Sequence, residues 1–469
     1  SISLRGTSAS QTGVYWNGIA INSALNGQTD FNSLQASGFD EVEIRKGGGS
    51  ALLGSGAIGG AVNLKDKVAF SSQRMLMMSL GAGSFNTYYG HLKALFSTEK
   101  LFFKFAGGAM NSKNDYPISG TDLKNDNGAF RNYNFSSTLA YRLNESHTIS
   151  LNTVLFDNDR NLSGTLSSES RAKLYNRDQR LLIDWKYLGN RYTSSLKAAF
   201  LYEDFTYLFD KNVKDQESYG KSNRFIGKYD FSYFLKHEMF VKAGMELENA
   251  KGNGSSLSNA EQTDFTAYLL FHQQPWQGFA YNISLRAGVS SVYDIPFIYS
   301  VDGKYALNRF LMLRAAFSTN YRLPTFNDLY WEPGGNPDLK PEKSLSTEMG
   351  LELSQDNFKL GGTFFMIKSE DLILWRPVSN DFWQAQNISE ASNYGLEFTA
   401  EIHQSFDAHN FKLKLQYDYT RALDDKTQNQ LIYVPEHKAN SILDYSWKKW
   451  NFNYNLQYVG EVFITTSNS

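Results

Sequence analysis

From about residue 70 onward, apolar and polar residues alternate with a period of two. Phe411, Leu413, Leu415, Tyr417 and Tyr419 interleave with Lys412, Lys414, Gln416 and Asp418. Phe452, Tyr454, Leu456 and Tyr458 do so with Asn451, Asn453, Asn455 and Gln457, and Tyr133, Phe135, Leu139 and Tyr141 with Asn134, Ser136, Thr138 and Arg142. Successive side chains of a strand point to opposite faces, so this pattern predicts strands with one apolar and one polar face. Roughly 19 such strands can be marked, many longer than the ~5–6 residues usual in globular sheets.

The connections alternate in length. Short turns fall near Leu143-Asn144-Glu145, Gly189-Asn190, Lys236-His237-Glu238, Asn308-Arg309, Asp356-Asn357 and Lys448-Lys449. Between them lie polar loops at 111–128, 158–177, 209–221, 252–261, 321–342 and 424–434, with short exceptions near Gly83 and Ser291. Outer-membrane barrels have short turns on one side and long loops on the other. A β-sandwich or propeller gives no reason for this alternation, and no fixed repeat marks a propeller. Tyr321, Tyr330, Trp331, Trp375, Trp383, Trp447 and Trp450 lie near strand ends, where interfacial girdles place aromatics.

Residues 1 to about 68 obey a different rule. They are rich in glycine, with turn signals at Asn17-Gly18, Asn26-Gly27 and the run Gly47 to Gly60, and short strands predicted at Val42-Glu43-Ile44 and Ala61-Val62-Asn63-Leu64. This is a compact mixed domain with little room for long helices.

Composition narrows the picture. Aromatics make up 15% of the 469 residues and charged residues 20%, yet mean hydropathy is only -0.43. No apolar run approaches the ~18 residues of a membrane helix. A membrane barrel reconciles these facts, because apolar outward positions average with polar lumen positions. A net charge of -2 removes any broad electrostatic case for binding nucleic acid. Without cysteine there is no disulfide, zinc-thiolate site or thiol nucleophile. His91, His147, His237, His272, His403, His409 and His437 show no paired metal spacing, and no catalytic set is visible, so the chain is not expected to be an enzyme. Gly54-x-Gly56-x-x-Gly59 matches a dinucleotide fingerprint as a string, but a strand is predicted after it where that motif requires a helix. Asp157-x-Asp159-x-Asn161 opens like a calcium loop, but Leu162 replaces the required glycine and Ser168 the closing acid. Asp157 and Asp159, with Asp122 and Asp126, stay as candidate donors for calcium in the outer loops.

Two stretches resemble TonB-dependent outer-membrane receptors. The first comprises Leu4-Arg5-Gly6, Val14-Tyr15-Trp16-Asn17-Gly18, Val42-Glu43-Ile44-Arg45-Lys46-Gly47 and Leu53 to Asn63. The second runs from Tyr321-Arg322-Leu323-Pro324-Thr325 to Trp331, then Gly335-Asn336-Pro337-Asp338-Leu339-Lys340-Pro341-Glu342. Within the family the chain is most similar to the cobalamin-receptor-like branch. The resemblance implies an all-β transmembrane barrel of about 22 strands, with a small α/β plug domain inside its lumen. Residues 1–68 would be the C-terminal part of the plug and 69–469 the barrel. The TonB-contacting segment and about three closing strands would lie outside this chain, which as it stands would leave an unpaired sheet edge in lipid.

The same resemblance implies energy-coupled import of a bulky scarce nutrient, cobalamin or a ferric siderophore, in the bacterial outer membrane, with TonB, ligand and outer-membrane lipid as partners. Alternatives are uptake or sensing of a glycan or peptide by the same architecture, or a barrel enzyme or adhesin. Arg5 and Arg45, beside glycines in short apolar strands, are expected to be partly buried and to need carboxylates. In related receptors plug arginines lock onto barrel glutamates, and Glu348 and Glu397 match those positions. Tyr15, Trp16, Asn17 and Asn26 on plug apices, with Trp331 and Asn336 in an outer loop, are the candidate ligand contacts.

Overall fold

The computed structural model describes residues 2–34, 38–165, 168–213, 217–236, 238–379 and 382–468, so His237 lies outside the described residues. The glycine-rich segment forms a four-stranded sheet of β1 (Thr12–Trp16), β2 (Ile19–Ala20), β3 (Glu41–Lys46) and β4 (Gly60–Lys65), in the order β2-β1-β4-β3. β1 and β4 run parallel, with Val14 opposite Val62 and Trp16 opposite Leu64. A single turn of helix, α1 (Ser50–Leu53), separates β3 from β4. Gly54 ends it at φ 94° and Gly56 follows at φ 83°, conformations that side chains disfavour. The glycine string therefore leads into β4 and no helix opens at it.

Nineteen antiparallel strands follow, β5 (Gln73–Gly83) to β23 (Trp450–Val459), and their order around the barrel is their order in the chain. Each strand pairs with the next in an unbroken series of registers from β5 to β23. Among the described residues no register pairs β23 with β5, and both strands are exposed along nearly their whole length. Alternation decides which face is which. In β10 (Lys173–Leu188) Leu181 and Ile183 are 40% and 49% exposed on the outside, while Leu182 is fully buried and Arg180 and Asp184 join it inside. An apolar exterior and a polar interior suit a wall between lipid and a filled lumen.

The small sheet fills that lumen. Val14, Trp16, Ile19, Val62 and Leu64 pack with Val154, Leu182, Ala199, Leu201 and Ile226 of the wall into one cluster. Burying each large apolar side chain contributes roughly 1.5–3 kcal/mol. Smaller apolar clusters join Leu25 to Ala250 and Leu257, Ala51 to Ile295 and Ile298, and Ile58 to Phe365 and Ile367.

Turns at one rim are tight (98–100, 277–278, 356–357), and the other rim carries the longer connections 113–129, 291–297, 323–341 and 425–436. The predicted loop at 252–261 is a correction. β13 (Met239–Gly254) and β14 (Leu257–Trp276) pair almost to their tips, leaving only Ser255 and Ser256 in the turn. Likewise β9 (His147–Asn161), β10 and β12 (Glu217–Phe234) extend into the regions read as 158–177 and 209–221. Ladder hydrogen bonds continue above the apolar belt, where side-chain alternation no longer signals them.

At the tight-turn rim, His147, Trp185, Tyr187, Tyr192 and Phe231 form a run of ring contacts with centroids 4.8 to 5.8 Å apart. Trp447 meets His409, and Trp450 is exposed beside it. Such a belt is what a headgroup interface favours. Tyr321 is not part of any girdle: it is buried against Ala51, Ile295 and Ile298.

Candidate functional site

The plug is fastened by buried ion pairs. The turn Leu4-Arg5-Gly6 brings Arg5, at φ 53°, against the wall. Its guanidinium grips Glu397 with two bonds, Nε to Oε1 at 3.2 Å and Nη2 to Oε2 at 3.0 Å, while Nη1 reaches Glu348 Oε2 at 2.7 Å. The Phe365 ring lies under it at 4.6 Å, and Asn393 Nδ2 donates to the Arg5 carbonyl at 3.1 Å. Glu348 belongs to β18 (Glu342–Gln355) and Glu397 to β20 (Phe382–Phe406), so one plug residue ties two strands. Burial alone would lower the Arg5 pKa, but the bonds and field of Glu397 and Glu348 raise it overall. The close approach needs Gly47. At φ +86°, a Cβ there would stand 2.7 Å from Glu348 Oε2 and 2.9 Å from Arg5 Nη1.

Arg45 does not join this cluster, which corrects the expectation of two plug arginines. It is exposed and makes no ion pair among the described residues. Its neighbour Lys46 takes the place, 3.0 Å from Glu397 Oε1 and 3.3 Å from Asp418 Oδ1. Adjacent strand residues face opposite ways, so only one of the pair can meet this wall. Arg45 instead lines a cavity of about 300 Å³ toward the tight-turn rim, with His272, Asp302 and Glu348.

A second fastening has the opposite polarity. Asp40, just before β3, meets Lys93 at 2.9 Å and Lys104 at 2.6 Å. Lys104, 1% exposed, also holds Asp66 at 2.6 Å, just after β4. Asn17 Nδ2 and Trp16 Nε1 donate to the same Asp66 carboxylate. Burial alone would raise the Asp40 pKa, but hydrogen bonds from Lys104 and Lys93 bring it below the usual carboxylate value. This cluster was missed in the sequence reading. Its signal was Lys104 in Leu101-Phe102-Phe103-Lys104-Phe105, a lone cation on the buried face of an apolar strand.

At the long-loop rim, the plug loop 22–30 meets the connection 323–341. Phe326 N donates to Ala24 O and Asn327 N to Leu25 O. The connection carries a short helix, α2 (Phe326–Tyr330), capped by Thr325 and Asp328. Beneath this meeting lies a cleft of about 150 Å³, lined by Ser10, Ser23, Gly54 and Ser55 of the plug and by Arg224, Glu248, Asp264, Arg286 and Arg322 of the wall. A smaller cavity beside it is lined by Asp30, Asp178, Arg180 and Glu203. Shape and polar groups give this outer cleft the means to hold a polar part of a ligand.

The other candidate contacts are distributed unevenly. Tyr15 and Trp16 are each 1% exposed in the plug core, so they form no apex. β1 lies inside the sheet between β2 and β4, and the wall covers it. Burial pushes the Tyr15 hydroxyl well above its ordinary pKa. Asn17 sits at the Asp66 fastening, away from the long-loop rim. Asn26 is exposed on loop 22–30. Asn336 is engaged by β20 and by its own loop, donating to Ala385 O and accepting from Asp338 N. Trp331 is half-buried and bridges to Leu257. Asp122 and Asp126 are exposed in the connection 113–129, whereas Asp157 is held by Arg177 and Asp159 by Arg131 and Lys173. Among the described residues no three His, Asp or Glu side chains gather as calcium requires.

Comparisons with known proteins agree with this architecture. The family described as "TonB dependent receptor-like, beta-barrel" matches residues 79–469, and "TonB-dependent Receptor Plug Domain" matches residues 1–61. The vitamin B12 transporter BtuB of Photobacterium profundum is 24% identical over 490 residues, covering 99% of this chain and 76% of that protein. Among solved structures, the siderophore receptor PirA of Acinetobacter baumannii superposes with a TM-score of 0.80 at 18% identity, covering 97% of this chain and 78% of the other. The ferric enterobactin receptor PfeA of Pseudomonas aeruginosa gives 0.79 at 17% identity, covering 97% and 79%. At these identities the structures speak for the fold alone.

Proposed function

Because the chain belongs to the TonB-dependent receptor family, we propose that it is an outer-membrane receptor importing a bulky, scarce nutrient by TonB-coupled work. The observation that carries this reading is a lumen filled by a plug whose charged side chains are tied to the wall. A general diffusion pore needs an open lumen. Here a large solute can pass only when several buried ion pairs are rearranged, each costly to break one-sidedly, and that calls for an external energy source. The ligand would be received at the outer cleft, and its class is cobalamin or a ferric siderophore, in keeping with the names of the similar proteins. The chain acts as a carrier and not as an enzyme.

The test is equilibrium binding by the purified protein in detergent, titrated with cyanocobalamin and with ferric siderophores while tryptophan fluorescence is followed. Saturable binding of one of them supports the reading. Silence across all of them would redirect it to a different nutrient class.

A further inference from the structure

On one side of the lumen the plug stands off the wall at two levels. The outer cleft meets the wall through Thr266 of β14, Arg286 of β15 (Phe279–Ser290) and Arg322 of β17 (Leu311–Arg322). Nearer the tight-turn rim, the cavity that holds Arg45 meets the same strands, through His272 of β14, Asn282 of β15, Asp302 of β16 (Ile298–Ala306) and Ala316 of β17. A smaller cavity beside it, lined by Arg5, Gly48, Ser300, Ser318 and Glu348, reaches β18. Four residues separate the levels on β15, from Asn282 to Arg286, and four on β17, from Ser318 to Arg322. That interval is roughly 13 Å of strand.

One turn of the plug fills it. α1 packs mainly on β14 to β17. Ser50 N donates to Asn320 Oδ1 at 3.2 Å, and Tyr321 N donates to Ser50 Oγ at 3.3 Å. Ala51 packs on Ile298 and Tyr321, and Gly48 lies against Ser318 and Asn320 with no room for a Cβ. From the other flank Arg286 ties the turn down. Its Nη2 donates to Leu52 O at 3.0 Å and its Nε to Ala51 O at 3.4 Å, while Thr266 Oγ1 fixes Nη1 at 2.7 Å.

The turn can leave without dismantling the plug. It connects β3 and β4, which pair with each other, and glycines at positive φ bound it, Gly47 at 86° and Gly54 at 94°. Glycine tolerates large backbone rotations at such points. Across the lumen nothing comparable exists among the described residues. Lys104 of β7 (Leu101–Ser112) holds Asp40 and Asp66 there, and β16 is nine strands on from β7 in a circuit of nineteen.

Resting on the uptake reading above, we propose that the imported solute passes between α1 and strands β14 to β18, with residues 48–54 as a movable stopper and Arg286 as the residue that positions it shut. The Arg5–Glu348 pair borders this route and gives way with the stopper. The Lys104 fastening stays made and keeps the plug in the cylinder.

Ion conductance in planar bilayers tests the route without any nutrient. Arg286→Ala loses both ties to the α1 carbonyls and should conduct about tenfold more than wild type, a population shift in keeping with lost hydrogen bonds from a charged donor. The chain has no native cysteine, so disulfide locks can be added singly and confirmed by mass. Ser50→Cys with Asn320→Cys, oxidised in the Arg286→Ala protein, should return conductance to the wild-type level, and reduction should release it. Gly38→Cys with Ser136→Cys locks plug to wall on the far side, where a Cβ at 38 stands 3.8 Å from that of Ser136, within disulfide reach. This second lock should leave the raised conductance unchanged. Arg286→Ala as silent as wild type, a first lock without effect, or two locks that abolish conductance alike would each overturn the proposal. Nutrient binding alongside such a failure would leave the uptake reading standing and remove the route alone. A silent nutrient panel with both locks behaving as expected would count against uptake while upholding the route.

Discussion

Lys104 shows how much one side chain can hold. It is almost wholly buried and bonded at 2.6 Å to two plug carboxylates, Asp40 and Asp66. Lys104→Met keeps the length and removes the charge, leaving Asp66 without a cation and Asp40 with Lys93 alone. Plug release in urea, followed by proteolysis of the plug, should become easier by ~3–5 kcal/mol; an unchanged midpoint would show the cluster to be idle. The same cluster sets an acid limit. The folded pKa of Asp40 lies below its unfolded value of about 3.9. Its stabilisation is therefore complete above that value and is lost as pH falls through the folded pKa. Plug protection should be flat through neutral pH and drop below about pH 4, with a shallower drop in Lys104→Met. On the other fastening, Arg5→Lys keeps the charge but loses the two-pronged grip on Glu397, and should cost ~1.5–3 kcal/mol by the same assay. Arg5, Glu348 and Glu397 were legible as a set because motif positions pointed to them. The exchange of Arg45 for Lys46 was not, since which of two adjacent cations faces a wall depends on the roll of β3. Tyr15 and Trp16 were misplaced for a related reason: aromatics beside Asn-Gly look like a loop tip until the sheet order encloses them.

At the scale of elements, period-two patterning located the strands well because the lipid-facing positions must be apolar whatever else a strand does. It failed above that belt. Gly252-Asn253-Gly254 reads as loop, yet β13 and β14 are paired through most of it, with a register shift between Gly252 and Gly254. The plug elements respond to packing in two measurable ways. Trp16→Ala would empty the cluster that joins β1 to the wall and should cost ~3–5 kcal/mol in plug stability. Gly47→Ala would place a methyl group between Arg5 and Glu348 at a positive φ. The expected loss is ~1–3 kcal/mol, together with easier plug release. Wild-type behaviour in that variant would mean that the turn can shift without disturbing the ion pairs.

For the molecule as a whole, the two fastenings share no residue and lie on separate stretches of wall, β18 to β21 (His409–Asp424) in one case and β6 (Thr87–Ser97) to β7 (Leu101–Ser112) in the other. Their effects should add to within ~0.5 kcal/mol when Arg5→Lys and Lys104→Met are combined. A combined effect much smaller than the sum would mean that releasing either one already frees the plug. The plug-in-barrel plan was readable from the abrupt change in composition near residue 70, whereas the outer cleft was not. Its Arg224, Glu248, Asp264 and Arg286 come from four different strands, and only the pairing of those strands brings them together.

The opposed polarity of the two fastenings also gives the domain an orientation code. Plug cations meet wall acids on one side, and plug acids meet wall lysines on the other. Turn the plug about the cylinder axis until Arg5 and Lys46 face Lys93 and Lys104, and the first fastening becomes a repulsion worth several kcal/mol while the second is lost. A domain of this size could tumble into its cylinder in many azimuths during biogenesis. Like a keyed connector, this one has charges that fit in a single sense.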